Sequence, residues 1–336
     1  MTRSFLQNRE DLSRYVPPST VTWKGREDGG DYAYIHQSVH CTDLSQQELN
    51  FQKGSFGIVG LCSDEGVRRN MGRIGAAEGP NSLRECLSKL PITSKDPFTI
   101  YDCGDVNCSD SDLALSQKTL GRVVSGLLQQ NVHPIIIGGG HEVAWGTYQG
   151  LASAFPKANI GIINFDAHYD LRPLVDGVKG SSGTPFHQIA MDRLEKELDF
   201  NYMCIGIQRY GNSKSLFERA KELEVTTIYA DEMFSHQADT NLQIVRSFLL
   251  KCDIIYLTIC LDVFEAPICP GVSAPQVLGL TPWQVIPIMR EVIASKKTLC
   301  MDIAELSPPH DIDMRTAKLA ASLVCEYLHG VNLYPS

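Results

Sequence analysis

From residue 56 onward the chain alternates short apolar runs with longer amphipathic stretches, and the runs end in Gly, Asp or Asn. The runs are FGIVGLC (56–62), FTIYDCG (98–104), HPIIIGGG (133–140), IGIINFDAH (160–168), MCIGIQ (203–208), TTIYA (226–230), IIYLTICLD (254–262) and TLCMDIAEL (298–306). Several are apolar throughout and rich in β-branched residues, the pattern of parallel strands covered on both faces. The stretches between them read as helices. Asp110 or Ser111 caps a run to Gln130 in which Leu113, Leu115, Leu120, Val123, Val124 and Leu127 form an apolar stripe. Thr281-Pro282 opens another helix with Pro just inside its start, and Met314 to Leu328 reads as the last. Residues 1–55 are polar and Gly-punctuated with no period, an expected N-terminal extension packed on the rest. Strand and helix alternation predicts one doubly wound α/β domain over residues 1–336, its mostly parallel sheet having about eight strands.

Composition narrows the function classes. Of 336 residues, 43% are hydrophobic and 21% charged, a globular mix that excludes disorder. The formal charge of −9 comes without a basic block, which excludes nucleic acid and membrane surfaces as partners. No apolar run approaches the roughly 18 residues of a membrane span, and MTRSFLQNREDLSRY lacks a secretory core. Eleven cysteines are scattered with no C-x-x-C pair, which predicts reduced thiols and a cytoplasmic setting.

In an open parallel sheet, ligands bind beyond the carboxyl ends of the strands, so the residues ending the runs carry the chemistry. Three run ends bear polar clusters: His141-Glu142, then Asp166-Ala167-His168-Tyr169-Asp170, then Cys260 and Asp262. Asp166, His168 and Asp170 alternate, so in extended chain they share one direction. Converging carboxylates and imidazoles are costly unless a cation sits among them. A network of helix caps is the bland reading of any one cluster; the three together favour metal. Oxygen-rich ligands with two imidazoles suit a hard or borderline ion such as Mn²⁺, and the ligand count suggests two metals. The glycines of GGGHE do not fit G-x-G-x-x-G or a P-loop, which sets nucleotide binding aside.

GGGHEVA, NFDAHYDLR, SSGTPFHQI, LDVFEAPICPGVSAP and MDIAELSPPHDID, in that order, resemble the arginase/agmatinase/formimidoylglutamase (ureohydrolase) family. WKGREDG, IHQSV and RRNMGRIGAAEGPNSLR resemble its formimidoylglutamase branch. The resemblance implies a three-layer α/β/α sandwich, a homo-oligomer (trimer or hexamer) and two Mn²⁺ ions per chain. By position, His141, Asp166, His168 and Asp170 fall on family metal ligands, and Asp262 on the second Asp of the family's D-x-D. Glu305 matches the acidic residue that receives the amidine or guanidine group. A shuttle His of arginases would align near Ser182, where the Ser-Gly-Thr-Pro form of the formimidoylglutamase-like branch stands instead. Cys260 departs from the pattern, occupying the place of the first, metal-bridging Asp; one metal, or an altered one, is the expected consequence.

The implied reaction is hydrolysis of the formimino C–N bond of N-formimino-L-glutamate, a step of histidine degradation that yields L-glutamate and formamide. Asp170 and Glu305 are its candidate catalytic residues. Gln208, Arg209 and Asn212, following a strand end, are candidates to bind the small-molecule substrate with Ser182 and Glu305; Arg68, Arg69 and Arg73 form a second set. Three rival readings stand beside it: an agmatinase- or arginase-like hydrolase, a metal-free hydrolase with Cys260 as nucleophile, and a metal-poor non-catalytic relative.

Overall fold

Each of the eight apolar runs forms a strand in the computed structural model, which describes residues 5–333 apart from 7, 29, 31–32, 95–97 and 234–236. These strands are β3 (Phe56–Cys62), β4 (Ile100–Asn107), β5 (His133–Ile137), β6 (Ile160–Phe165), β7 (Asn201–Ile207), β8 (Thr226–Tyr229), β9 (Ile254–Cys260) and β10 (Thr298–Ala304). Ahead of them lie β1 (Tyr15–Val16) and β2 (Val39–Cys41), both from the stretch with no period. The sheet therefore has ten strands among the described residues, not about eight. Its order is β1-β4-β3-β5-β10-β9-β6-β7-β8, with β2 also paired to β4. Only β1 runs antiparallel.

Ten α-helices among the described residues connect the strands: α1 (Arg9–Arg14), α2 (Glu65–Arg69), α3 (Gly79–Leu87), α4 (Leu113–Gln129), α5 (Val143–Ala154), α6 (Pro185–Glu195), α7 (Lys214–Glu222), α8 (Ala238–Leu250), α9 (Pro282–Ala294) and α10 (Arg315–Leu333). Successive strand residues face opposite sides, so each central strand feeds two cores. Ile135, Ile137, Leu257 and Ile303 join side chains of α3, α8, α9 and α10 in one buried cluster. Ile136, Ile162, Tyr256 and Ala304 join α4, α5, α6 and α7 in the other. The result is the expected three-layer α/β/α sandwich.

Local chemistry sets the element ends. Asp112, not Asp110 or Ser111, caps α4, accepting from the Leu115 N–H at 3.1 Å. Asp110 is taken instead by the buried Arg14 guanidinium at 2.8 Å, and Ser111 is held at φ 64°. Thr281 caps α9 as expected, its backbone N–H donating 2.8 Å to Gln284, with Pro282 at the first position. Arg84 of α3 is buried against Asp102 (3.0 Å), Asp105 (2.7 Å) and the Gly104 carbonyl (3.0 Å) of β4. The Trp23 indole N–H donates to the same Asp102 at 2.7 Å, which ties the N-terminal stretch to the sheet.

The central run β5-β10-β9-β6 sets four carboxyl ends side by side: Ile137 beside Ile303, Ala304 beside Cys260, and Phe165 beside Ile259. After β5 the chain must turn sharply into α5. Gly139 allows it, because a Cβ there would stand 1.6 Å from the Ser63 carbonyl oxygen. That turn delivers His141 to the ends of the neighbouring strands.

Candidate metal centre

His141, from the turn after β5, meets the segment that follows β6. Its Nδ1 lies 2.9 Å from Asp166 Oδ2 and 3.0 Å from Asp170 Oδ2. Its Nε2 is 3.0 Å from the Thr258 hydroxyl of β9, and its backbone N–H donates to Glu305 Oε1 at 3.0 Å. With Nε2 turned to Thr258, Nδ1 is the nitrogen that faces the two carboxylates, and once deprotonated it is the one placed to bind a metal. Beneath, buried Asp302 accepts from Thr147 at 3.0 Å and from Tyr256.

Asp166, His168 and Asp170 converge, but by a turn rather than by the alternation of an extended strand. β6 ends at Phe165, Asp166 Oδ1 accepts the His168 backbone N–H at 2.8 Å, and Asp170 stands at φ 48°. His168 Nδ1 then lies 3.1 Å from Asp262 Oδ2 and 3.6 Å from Asp166 Oδ1. Asp262 sits in a short turn after β9, and Glu305, just past β10, is held at φ 70°.

Ligand-capable atoms fall into two triads that share Asp166: His141, Asp166 and Cys260, and Asp166, His168 and Asp262. In each triad the atoms lie within 4.8 Å of one another. Two of these atoms, His141 Nδ1 and Asp262 Oδ1, are buried without an aligned hydrogen bond. Orphaned donor atoms of this kind, in a nitrogen- and oxygen-rich set, fit divalent cations. Cys260 joins only the first triad.

The electrostatics agree. Burial opposes charge on His141 and His168, yet the adjacent carboxylates (Asp166 and Asp170 for the first, Asp262 and Asp166 for the second) hold both imidazoles well above their ordinary pKa. Burial and the neighbouring Asp166 push Asp170 up to about 6. Against the same burial, the two imidazoles hold Asp166 below the usual carboxylate range. Burial and Glu142 raise Glu305, and burial with Asp166 and Asp262 raises the Cys260 thiol.

A cavity of about 320 Å³ opens over this floor. His141, His168, Asp170, Cys260, Asp262 and Glu305 line it below, with Ser182, Asn70, Arg73, Arg172 and Ser273 around the wall. Ser182 is thus where the sequence places it. Gln208, Arg209 and Asn212, expected to contact substrate, are not among the residues that line it, although their neighbour Gly211 is. Gln208 donates to the Leu278 carbonyl at 2.6 Å. Arg209 is paired to Asp231 (2.8 Å) and Glu232 (3.3 Å) and stacked 3.7 Å over Tyr229. Asn212 braces the turn that carries His168, accepting from Tyr169 N–H and donating to the Ala167 carbonyl. Of the second arginine set, Arg68 and Arg69 are spent on Glu65, and only Arg73 reaches the cavity.

Arg172 and Asn70 are the functional candidates that sequence reasoning missed. The Arg172 side chain is exposed and has no ion-pair or hydrogen-bond partner among the described residues. Its place two residues beyond Asp170, in the motif NFDAHYDLR, was the one available signal.

The sandwich gathers two triads of ligand-capable side chains beyond the ends of β5, β6 and β9, and the sequence model of the Arginase family matches residues 54–330. The chain belongs to the arginase family. The formimidoylglutamase of Legionella pneumophila (strain Lens) is 44% identical over 320 residues, covering 95% of this chain and 98% of that protein. The formimidoylglutamase of Ralstonia nicotianae is also 44% identical, over 93% of this chain and 95% of its own. In fold, the chain is similar to formimidoylglutamase from Bacillus subtilis (TM-score 0.78, 22% identity, 93% of this chain and 97% of that one). It is also similar to Trypanosoma cruzi formiminoglutamase crystallised with Mn²⁺ (TM-score 0.75, 24% identity, 84% and 95%).

Proposed function

We propose that the protein hydrolyses the formimino C–N bond of N-formimino-L-glutamate, giving L-glutamate and formamide. One observation carries the choice among amidine substrates: the cavity is bipolar. Its floor is carboxylate-rich, and its wall carries the unpaired Arg172 with Asn70 and Arg73. A substrate that is cationic at one end and bears two carboxylates at the other matches that polarity. Agmatine, cationic at both ends, would set a charge against Arg172. The kinship to formimidoylglutamases over nearly the whole chain supports the same reading.

His141, Asp166, Asp170 and Cys260 would hold one metal ion, and Asp166, His168 and Asp262 a second, with Mn²⁺ as the expected ion. When bound, such a pair supplies hydroxide as nucleophile near neutral pH. The chain's own residues do the rest. Glu305 accepts charge-assisted hydrogen bonds from the amidinium nitrogens and fixes the amidine carbon over the floor. Burial and Glu142 raise its pKa, so an incoming amidinium stabilises its carboxylate form. Asp170, lining the cavity beside His141, takes a proton on its carboxylate and returns it to the leaving amine. Arg172 holds a glutamate carboxylate at the wall, with Ser182 and Asn70 as polar contacts beside it.

A homo-oligomeric assembly (trimer or hexamer), a cytoplasmic location and a place in histidine degradation complete the reading. No described helix is long and apolar enough to cross a membrane. The test is product identification with Mn²⁺-loaded protein on N-formimino-L-glutamate, L-arginine and agmatine. Formamide from the first without urea from the others is expected; urea release from arginine or agmatine as the faster reaction would reverse the assignment.

A further inference from the structure

The two triads are not chemically alike. His141, Asp166 and Cys260 offer nitrogen, oxygen and sulfur, whereas Asp166, His168 and Asp262 offer only nitrogen and oxygen. Asp170 Oδ2, at 3.0 Å from the same His141 nitrogen, belongs with the first set. Cys260 closes β9 beside Ala304 of β10, which anchors its backbone between two of the four central strands. Its side chain lines the cavity floor while only 1% exposed. The remaining deeply buried cysteines, such as Cys103, Cys204 and Cys300, are absent from the cavity lining. Cys204 shares the neighbourhood of Asp166, Asp170 and Asp262, but Cys260 alone of these four both lines the cavity and joins a ligand triad, with Asp166, Asp262, Glu305 and Asp170 around it. A sulfur inside a carboxylate cluster, within 4.8 Å of a histidine nitrogen and a carboxylate oxygen, has the surroundings of a ligand and not of core packing.

We propose that Cys260 ligates as a thiolate and makes the pair of positions unlike. His141–Asp166–Asp170–Cys260 is a thiophilic position that prefers Zn²⁺, Co²⁺ or Fe²⁺, and Asp166–His168–Asp262 is a hard position that accepts Mn²⁺. On ligation an S–metal bond replaces the S–H bond and the proton leaves to solvent. The inference rests on the metal-centre reading above and adds to it which ion each half selects.

The test uses whole, metal-free protein titrated with Co²⁺. A thiolate-to-Co²⁺ charge-transfer band in the near ultraviolet is expected, growing with one of two bound equivalents. Cys260→Ser and Cys260→Asp should both lose the band, and Cys260→Asp should keep both equivalents. After dialysis against equal Mn²⁺ and Zn²⁺, wild type should retain both metals, while Cys260→Asp shifts towards Mn²⁺. X-ray absorption of zinc-loaded wild type needs no variant and should show a sulfur shell at about 2.3 Å. Two Co²⁺ bound without the band, or a band and metal ratio unchanged in Cys260→Ser, would overturn thiolate ligation while leaving the metal centre standing. Failure of wild type to bind Co²⁺ at all would overturn the metal-centre reading and this inference with it.

Discussion

Thr258→Val removes one hydroxyl, which bonds His141 and also touches the buried pair Asp302 and Tyr256. It stands 3.0 Å from His141 Nε2, on a ring only 1% exposed. Without it the ring N–H is buried with no acceptor, a loss of about 1–3 kcal/mol. The same bond fixes the tautomer that presents Nδ1 to Asp166 and Asp170. Loss of an outer partner to a metal-bound histidine weakens metal affinity about 10- to 100-fold, or ~1.4–2.7 kcal/mol. Competition calorimetry with Mn²⁺ or Co²⁺ is the assay, with Thr258→Ser as the control that keeps the hydroxyl and restores affinity. Metal affinity in Thr258→Val equal to that of wild type would refute the orientation argument, because among the described residues His141 Nε2 has no other hydrogen-bond partner.

Other perturbations follow from the same contacts. Arg172→Met should raise KM for N-formimino-L-glutamate about tenfold, yet leave turnover of a formamidine lacking carboxylates nearly unchanged; parallel steady-state kinetics on the two substrates checks this. Apparent Mn²⁺ affinity should rise with pH through about 6, where Asp170 gives up its proton. It should keep rising above that as His141 and His168, both held above their ordinary pKa, give up theirs. Titration calorimetry in buffers of different ionisation enthalpy reads the falling number of protons released. Arg84→Met leaves Asp102 buried and uncompensated against β4, and urea denaturation should show a loss of about 3–5 kcal/mol.

How much of this was legible in the sequence follows from burial. Ile135 and Ile137 enter one core and Ile136 the other, so a central strand has no polar alternation and reads as an apolar run. β1 and β2, of two and three residues, lie at the sheet edge with Val16 41% exposed, too short and too wet to leave a pattern. The candidate ligands were visible because Asp, His and Asp at a strand end are rare company. The turn that brings them together was not, since it depends on the Asp166 carboxylate accepting a backbone N–H and on a positive φ at Asp170. Strand-end reasoning also chose Gln208, Arg209 and Asn212. β7 is outside the central four strands, and Asp231 and Glu232 draw Arg209 away. Arg172 was hidden for the opposite reason: an Arg before a Pro in a polar loop looks like any solvated residue until the cavity wall is drawn.

The central claim is that two cations share Asp166 above the ends of β5, β10, β9 and β6. Anomalous diffraction from crystals grown with a single cation, Mn²⁺ or Co²⁺, measures it directly. Two peaks per chain are expected, one among His141, Asp166, Asp170 and Cys260, the other among Asp166, His168 and Asp262. No peak at these residues, or peaks with Asp166 outside the coordination of both, would contradict the account.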